Sequence, residues 1–557
     1  MKSLHLILSV LLFFCFSLKA EEQFRERVFV HTDKDCYISG EDILLKFYVV
    51  NNQFQPSTLS KVGYVEICNT EKPLMQLKVA LEKGGGAGKI RIPRDLPSGI
   101  YQLSGYTRYM RNEGENVFFR KQIAIINAVQ ETPDPKRYEL VEKQETSYPE
   151  KKETLDLLVK TNQKGYGNRQ KVLLSIDNIP DHTADLIVSV SRNDSIAFVQ
   201  EVNKPEWLKQ VSDTFHFSGQ WPPEYEGHII PGRFIPEPQE NLLASIAVVG
   251  KDIRFRYGQV NEQNQTINFY TAGIFGKQQI VTSALSLFHN KTAHRIDLIS
   301  PFCEFLPDNL PVMQVRLNEK QILDRYIGVQ IQGKMNNDVI DNLNQIFNDC
   351  SLQPVLSYDL DEYTRFSTIS ETILEFISQV RVVKVEGKRR ISVFSAEQQQ
   401  FSPRRVLVLL DGVPIYDHED ILNYNPMYIK RINVYDKRYL LGGNDYEGIV
   451  YFITREGDLP FFQLSNESQL LNYDFPQLPP LFLSPDYSTD PAKNSRKPDF
   501  RHTLYWNPFV EYTYGKPVNL SFYTSDLCGE FKVIVEGITS DGKMIKGVSY
   551  FRVPESH

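Results

Sequence analysis

Two acidic clusters are the residues of this chain best suited by type and spacing to chemistry: Asp359, Asp361 and Glu362, and then Asp417, Glu419 and Asp420. Carboxylates this close could hold a hard cation through oxygen ligands. Neither cluster sits in a glycine-pinned loop, and the first precedes a helical pattern, where acids ordinarily form a solvated helix start facing the positive end of the helix dipole. The 10 histidines are scattered. None falls in a His-Glu-x-x-His pair or keeps metal-ligand spacing with a third donor. His228 and His418 read as surface or packing residues in loops. No Gly-x-Ser-x-Gly elbow and no phosphate loop occurs. These residues predict no catalytic, cofactor or metal site and no enzyme.

Composition narrows the partners. Formal charge is −7, and losing Lys2 and Lys19 with a leader would make it about −9 by the same count. No basic stripe stands out, which argues against nucleic acid as a partner. Hydrophobic content of 41% and charged content of 24% are ordinary globular values, and 12% aromatics favour β-structure. Residues 1–20, with Lys2, an apolar run from Leu6 to Leu18 and then Lys19-Ala20, read as a signal peptide. Phe13 and Phe14 ahead of Cys15 are poor lipobox residues, so lipidation is not expected. The later cysteines, Cys36, Cys68, Cys303, Cys350 and Cys528, are odd in number, widely spaced and without CxxC. They read as small buried side chains, with a Cys36–Cys68 pair as an open alternative.

Positioning falls mainly to strands. Val406-Leu407-Val408-Leu409-Leu410 runs into Asp411-Gly412, a turn signal, with Pro414 two residues beyond. Ile429 to Tyr435 and Gly448 to Thr454 are two more β-branched or aromatic blocks of strand length. Ahead of them, Thr368-x-x-Glu371 is a capping box. Ile369, Ile373, Phe376, Ile377 and Val380 form one face of a helix predicted over 368–380. Residues 381–385 and 391–393 are strands flanking a turn at Gly387-Lys388-Arg389-Arg390. This order resembles the plug domain of TonB-dependent outer-membrane receptors over residues 361–458. Asp411, Gly412, Pro414 and Gly448 carry the resemblance, as structural or interaction residues. The chain lacks the usual Arg-Gly ending and a TonB-binding box near its start. The approximately one hundred residues after 458 lack the run of ~10-residue alternating segments a barrel needs, so the unit is expected to work without a barrel of its own.

Residues 21–129 alternate like a β-sandwich. Thr32-Asp33-Lys34-x-x-Tyr37-x-x-Gly40-Glu41-x-Ile43 and Leu96-Pro97-Ser98-Gly99-x-Tyr101 resemble an alpha-2-macroglobulin-type domain, a family of seven-stranded sandwiches. The first motif repeats: Thr32, Tyr37 and Ile43 keep the spacing of Thr161, Tyr166 and Val172. A second such sandwich is therefore predicted over 153–225, after a linker at 130–152. Cys528-Gly529-Glu530-Phe531 approaches the Cys-Gly-Glu-Gln in which macroglobulin thioesters form. Phe531 has no acyl group to condense with the thiol, so no thioester is expected.

The remaining expectations are a third β-domain at 226–300 and a β-rich connection at 301–360 with a weak helical pattern at 336–348. An exposed Pro-rich loop at 459–500 and a C-terminal β segment at 501–557 complete the chain. In the latter, Ser525-Asp526-x-x-Gly529 before a strand ending Val535-Glu536-Gly537 again resembles the macroglobulin type, which makes the plug-like unit an insertion inside a β-sandwich begun before residue 360. The whole reads as mainly β with a small α+β domain: tandem macroglobulin-like β-sandwiches plus a plug-like α+β domain. It resembles macroglobulin-domain proteins with a plug-like domain found in Bacteroidota. That resemblance implies a non-enzymatic cell-envelope binding or scaffold protein in the periplasm or at the outer membrane. Its partner would be an outer-membrane or periplasmic protein, its membrane association indirect, and it would need no cofactor. The alternative is a protease-capturing macroglobulin relative without a thioester.

Overall fold

The computed structural model describes residues 24–129, 138–140, 157–193, 197–198, 217–238, 242–261, 266–286, 293–315, 319–332, 352–395, 397, 399–402, 406–441, 444–541 and 543–555. The leader with Cys15, most of the 130–152 linker, the helical pattern at 336–348 and Cys350 lie outside them. The fold is mainly β. In the first sandwich, strands Glu26–Thr32, Asp42–Asn51 and Gly85–Arg91 form one sheet. Cys36–Ile38, Phe119–Ile126, Gly99–Thr107, Val62–Cys68 and Pro73–Ala80 form the other, in that spatial order. Both sheets close on one core containing Phe47, Tyr64 and Tyr106. Cys36 and Cys68 stand on strands with two others between them. At ~4.8 Å per strand they are too far apart for a disulfide, and all four described cysteines are unbridged to one another.

The second sandwich is assembled from distant pieces. Leu158–Thr161 and Lys171–Asp177 pair with Val518–Tyr523. Thr183–Arg192 lies between Thr503–Asn507 and Gly529–Thr539, and Met544–Val553 closes the edge. The C-terminal β segment is thus half of this sandwich, not a separate unit. The repeated motif forms the same hydrogen-bonded corner twice. Tyr37 Oη donates to Asp33 Oδ1 (2.8 Å) and Leu44 N donates to the same oxygen (3.1 Å). Tyr166 Oη donates to Asn162 Oδ1 (2.8 Å) and Leu173 N to the same atom (2.9 Å). The two sandwiches pack together through Ile187, Trp506 and Ile538, which enter the first core. Strand Glu26–Thr32 is therefore buried along its whole length, although Lys171–Asp177 shows one-sided alternation.

The third sandwich pairs Gln259–Asn261, Thr266–Thr271, His228–Ile235 and Arg295–Leu298 in one sheet. Its second sheet holds Phe255–Tyr257, Leu242–Val248, Lys277–Ser286 and Ser468–Asp474. Ser468–Asp474 falls inside the predicted Pro-rich loop. That loop is not free. Phe475 enters the third core, and Gln477 lies along the first sandwich, accepting from Ala80 N (2.9 Å) and donating to Lys78 O (2.7 Å). Arg169 holds its far end, donating to the Lys493, Ser495 and Lys497 carbonyls and to Asp526.

The connection predicted as β-rich contains a helix, α1 (Glu319–Gln332). Beyond it comes the α+β unit. Its five-stranded sheet runs Leu356–Asp359, Ile429–Tyr435, Gly448–Thr454, Val406–Leu410, Val413–Pro414. The Val406–Leu410 strand is parallel to Gly448–Thr454. A second sheet is Val380–Val385, Lys388–Ser395, Gln400–Ser402. Helix α2 (Ile369–Phe376) is capped by Thr368, whose side chain accepts from Glu371 N. It ends before the predicted 380, because Ile377 leaves helical geometry and Val380 begins a strand. The turn after that strand is Glu386-Gly387, both at positive φ, so Lys388 already belongs to the returning strand.

Candidate interaction surface

Asp411 and Gly412 are the two central residues of a hairpin whose closing pair is Leu410 and Val413. Their φ values of 44° and 80° fit a type I′ turn. Asp411 is fully buried, and its carboxylate accepts from Thr454 N (2.8 Å), Thr454 Oγ1 (2.7 Å) and Leu459 N (2.9 Å). Burial pushes its carboxyl up, and the Thr454 and Leu459 donors pull against that. A Cβ on Gly412 would stand 2.7 Å from Val248 O and 2.9 Å from Asp252 O. Gly250 N donates to Asp411 O at 3.0 Å, and Tyr451 Oη donates to Gly250 O at 3.0 Å. The turn therefore clamps the α+β unit onto the Val248–Asp252 corner of the third sandwich. Pro414 lies on the edge strand, where a missing N–H costs little. Gly448 starts the parallel strand, and a Cβ there would meet Val393 Cβ at 3.0 Å. All four motif residues are internal, so they position the unit and present no contact surface.

Four of the six acids in these clusters, Asp359, Asp361, Asp417 and Glu419, pair with cations. Asp359 caps a single 3₁₀ turn, and Asp361 pairs with Arg365 (2.5 Å), Lys430 (2.7 Å) and Arg455 (2.6 Å). Hydrogen bonds from Arg455, Lys430 and Arg365 hold the Asp361 carboxyl far below the ordinary range. Asp417 caps the short helix α3 (His418–Leu422) and pairs with Lys388, and Glu419 pairs with Arg389. Among the described residues no group of three or more His, Cys, Asp or Glu could hold a metal ion. His418 is on the helix rather than in a loop, buried, with Nδ1 accepting from Ile391 N at 2.9 Å. Cys528 is half-buried, and Phe531 is fully buried in the second core, its ring 5.4 Å from that of Phe551.

His228 opens a strand and is buried in a polar junction that no local spacing announces. Glu224 accepts from Tyr64 Oη (2.8 and 2.9 Å) and Ile229 N (2.8 Å), and lies 2.9 Å from His228 Nδ1. His228 Nε2 lies 2.7 Å from Tyr473 Oη. These residues come from the first sandwich, the 217–227 segment and both sheets of the third sandwich. The distances fit a neutral imidazole with Nδ1–H donating to Glu224 and Nε2 accepting from Tyr473, a tautomer assigned from the network. Burial lowers the imidazole to about 4, opposed by the Glu224 hydrogen bond and aided by the Lys78 and Arg108 charges. An ion pair at 2.9 Å would need the protonated ring, and full burial beside two cations decides for the neutral one.

An unfolded chain takes up this proton near 6.5, whereas the folded junction refuses it until about 4. Its stabilisation is thus whole above pH 6.5 and is lost as pH falls toward 4, by about 3 kcal/mol at 1.36 kcal/mol per unit. The urea midpoint of His228→Gln is expected to fall less than that of the wild-type chain between pH 7 and 4. Parallel curves would refute the buried-imidazole account.

The α+β unit also carries exposed apolar side chains. The three most exposed large apolar side chains among the described residues, Phe461 (82%), Leu374 (81%) and Leu440 (77%), lie on this unit or just after it. Phe461 lies against Tyr428, ring centroids 5.1 Å apart, and exposed Met427 precedes it. These form a local apolar patch over the Tyr424–Phe462 contact. Among the described residues no helix is long and apolar enough to cross a membrane.

No family model matches the chain, and no curated protein matches its sequence. Among solved structures it is similar to Escherichia coli alpha-2-macroglobulin activated by porcine elastase, at 8% identity and a TM-score of 0.25, covering 95% of this chain and 44% of that one. Salmonella alpha-2-macroglobulin reacted with methylamine gives 8% identity and a TM-score of 0.24, with 95% and 39% covered. The CARDB domain of the PF1109 protein from Pyrococcus furiosus is similar over 19% of this chain and 98% of its own, at 11% identity and a TM-score of 0.15. The chain thus spans less than half the length of the bacterial macroglobulins it resembles.

Proposed function

We propose that this protein is a non-enzymatic binding or scaffold component of the bacterial cell envelope, in the periplasm or at the outer membrane. In this reading the α+β unit is a plug-like module that meets an outer-membrane protein, and the three sandwiches carry and orient it. The observation that carries the reading is the patch of exposed Met427 and Phe461 around half-buried Tyr428, on a unit whose own motif residues are spent on internal clamping. Large side chains exposed together mark contact sites more often than isolated ones do. The order of helix, hairpin and parallel strand supports the plug-like reading, as do the macroglobulin-like sequence motifs of the first two sandwiches. Protease capture by a thioester finds no support, since Phe531 offers no acyl group.

The test is recovery of tagged protein from envelope extracts after crosslinking, comparing the wild-type chain with Met427→Asp/Phe461→Asp. The expected result is an outer-membrane protein crosslinked to wild type and lost from the double variant, with unchanged thermal unfolding. Equal recovery by both would remove this patch as the contact. Excising residues 361–458 is a poorer test, because the unit's core includes Ala247, Phe255 and Val281 of the third sandwich.

A further inference from the structure

The Val380–Lys388 hairpin concentrates positive charge on an acidic protein. Between 380 and 395 the chain has Arg381, Lys384, Lys388, Arg389 and Arg390 against Glu386 alone, five cations to one anion, in a chain of formal charge −7. Lys388 and Arg389 are paired, with Asp417 and Glu419. Among the described residues no carboxylate pairs with Arg381, Lys384 or Arg390. Arg381 instead lies over the Phe401 ring, 4.0 Å from its centroid. Strand Val380–Val385 pairs on one side only, with Lys388–Ser395; among the described residues nothing pairs with its other edge.

Register says what that edge offers. The two-residue Glu386-Gly387 loop makes Val385 and Lys388 a hydrogen-bonded pair, as are 383 with 390 and 381 with 392. Val382 and Lys384 therefore turn their backbone N–H and C=O groups outward. Val380 and Ile391 face the unit's core, which places Arg381, Val383 and Val385 on the opposite face beside Lys388 and Arg390. The result is an unpaired strand edge, half-buried valines beside it, and cations on either side.

We infer that the outer edge of Val380–Val385 docks an extended acidic segment of a partner protein, which adds to this sheet as a further strand. The inference rests on the reading of the α+β unit as an interaction module. Main-chain hydrogen bonds to Val382 and Lys384 would supply the register. Glu or Asp at alternate positions would meet Arg381 and Arg390 on the outer face, and the apolar residues between them would lie on the opposite face beside Val382. Self-pairing of two copies is disfavoured, because it would bring together two edges that each carry Arg381 and Lys384 with no acid opposite them.

The probe is a fluorescein-labelled ten-residue peptide of alternating Glu and Val, titrated against the full chain at low salt. A peptide of equal charge with Pro replacing Val and a single-stranded oligonucleotide are the comparisons. We expect the Glu-Val peptide to bind and the Pro peptide and oligonucleotide to bind at least about tenfold more weakly. We expect Arg381→Glu/Arg390→Glu and Lys384→Pro to weaken it by a similar factor, and hydrogen exchange at Val382 and Lys384 to slow on binding. Should Lys384→Pro fail to fold, the charge reversal and the exchange measurement still decide. Absence of binding, equal binding of the Pro peptide or oligonucleotide, or indifference to charge reversal would each overturn the inference. If the envelope partner still depends on Met427 and Phe461 in that event, the functional reading stands without it.

Discussion

Leu409→Asp is expected to unfold the α+β unit outright. Leu409 is fully buried on a strand flanked by Gly448–Thr454 and Val413–Pro414. Losing a buried leucine costs about 2–5 kcal/mol, and an unpaired carboxylate in its place adds several more. That sum rivals the ~5–15 kcal/mol that holds a typical domain together. The damage should reach the third sandwich, because Ala247, Phe255 and Val281 complete the same core and the Asp411-Gly412 turn is clamped to residues 248–252. The first and second sandwiches have separate cores and should stay folded. Hydrogen exchange read by segment checks this: 356–454 and 242–286 should lose protection while 26–126 keeps it. Wild-type protection across 406–454 would refute the assignment of Leu409 to a shared core.

Arg325→Ala should be nearly as costly, for a different reason. Arg325 is 1% exposed, and its guanidinium grips Glu41 through Nε (3.0 Å) and Nη2 (2.8 Å), with Nη2 also donating to Cys36 O at 2.8 Å. This fork ties α1 to the first sandwich. Removing one partner of a buried pair leaves the other charge uncompensated, typically a loss of 3–5 kcal/mol, about enough to free the helix. Burial would raise the Glu41 carboxyl, but Arg325 and Lys34 outweigh it and hold it at about 2. Its contribution is therefore complete above the ordinary 4.5 and lost as pH falls toward 2. The gap in urea midpoint between wild type and Arg325→Ala should close over that window, and Arg325→Met/Glu41→Leu should recover much of the loss at pH 7. A gap that persists at pH 2.5 would show that packing, not charge, makes the contact.

That ion pair also explains what sequence could not show. The buried face of α1 carries Arg325 between Ile322 and Val329, which breaks the apolar period a helix is recognised by. The β-sandwich character was legible because strands such as Lys171–Asp177 bury alternate residues. The motif repeat was legible because one corner is built twice with Asp33 and Asn162 in the same role. The Asp411-Gly412 turn announced its type but not its task, since the carbonyls of Val248 and Asp252 that crowd Gly412 lie some 160 residues earlier in the chain. The Glu224–His228–Tyr473 junction left no trace for the same reason, and the Pro-rich composition of 474–500 hid a segment held at Gln477 and near Ser495.

The split second sandwich governs when this chain can finish folding. Thr183–Arg192 finds its neighbours at Thr503–Asn507 and Gly529–Thr539. Over 300 residues intervene, the interval from 192 to 503. At roughly 5–20 residues per second, synthesis of that interval takes on the order of 15–60 s. Throughout it the early strands have exposed edges and no lid on their apolar face. The yield of a nascent chain of this architecture depends on whether the last strands arrive before the first ones find a neighbour of their own kind.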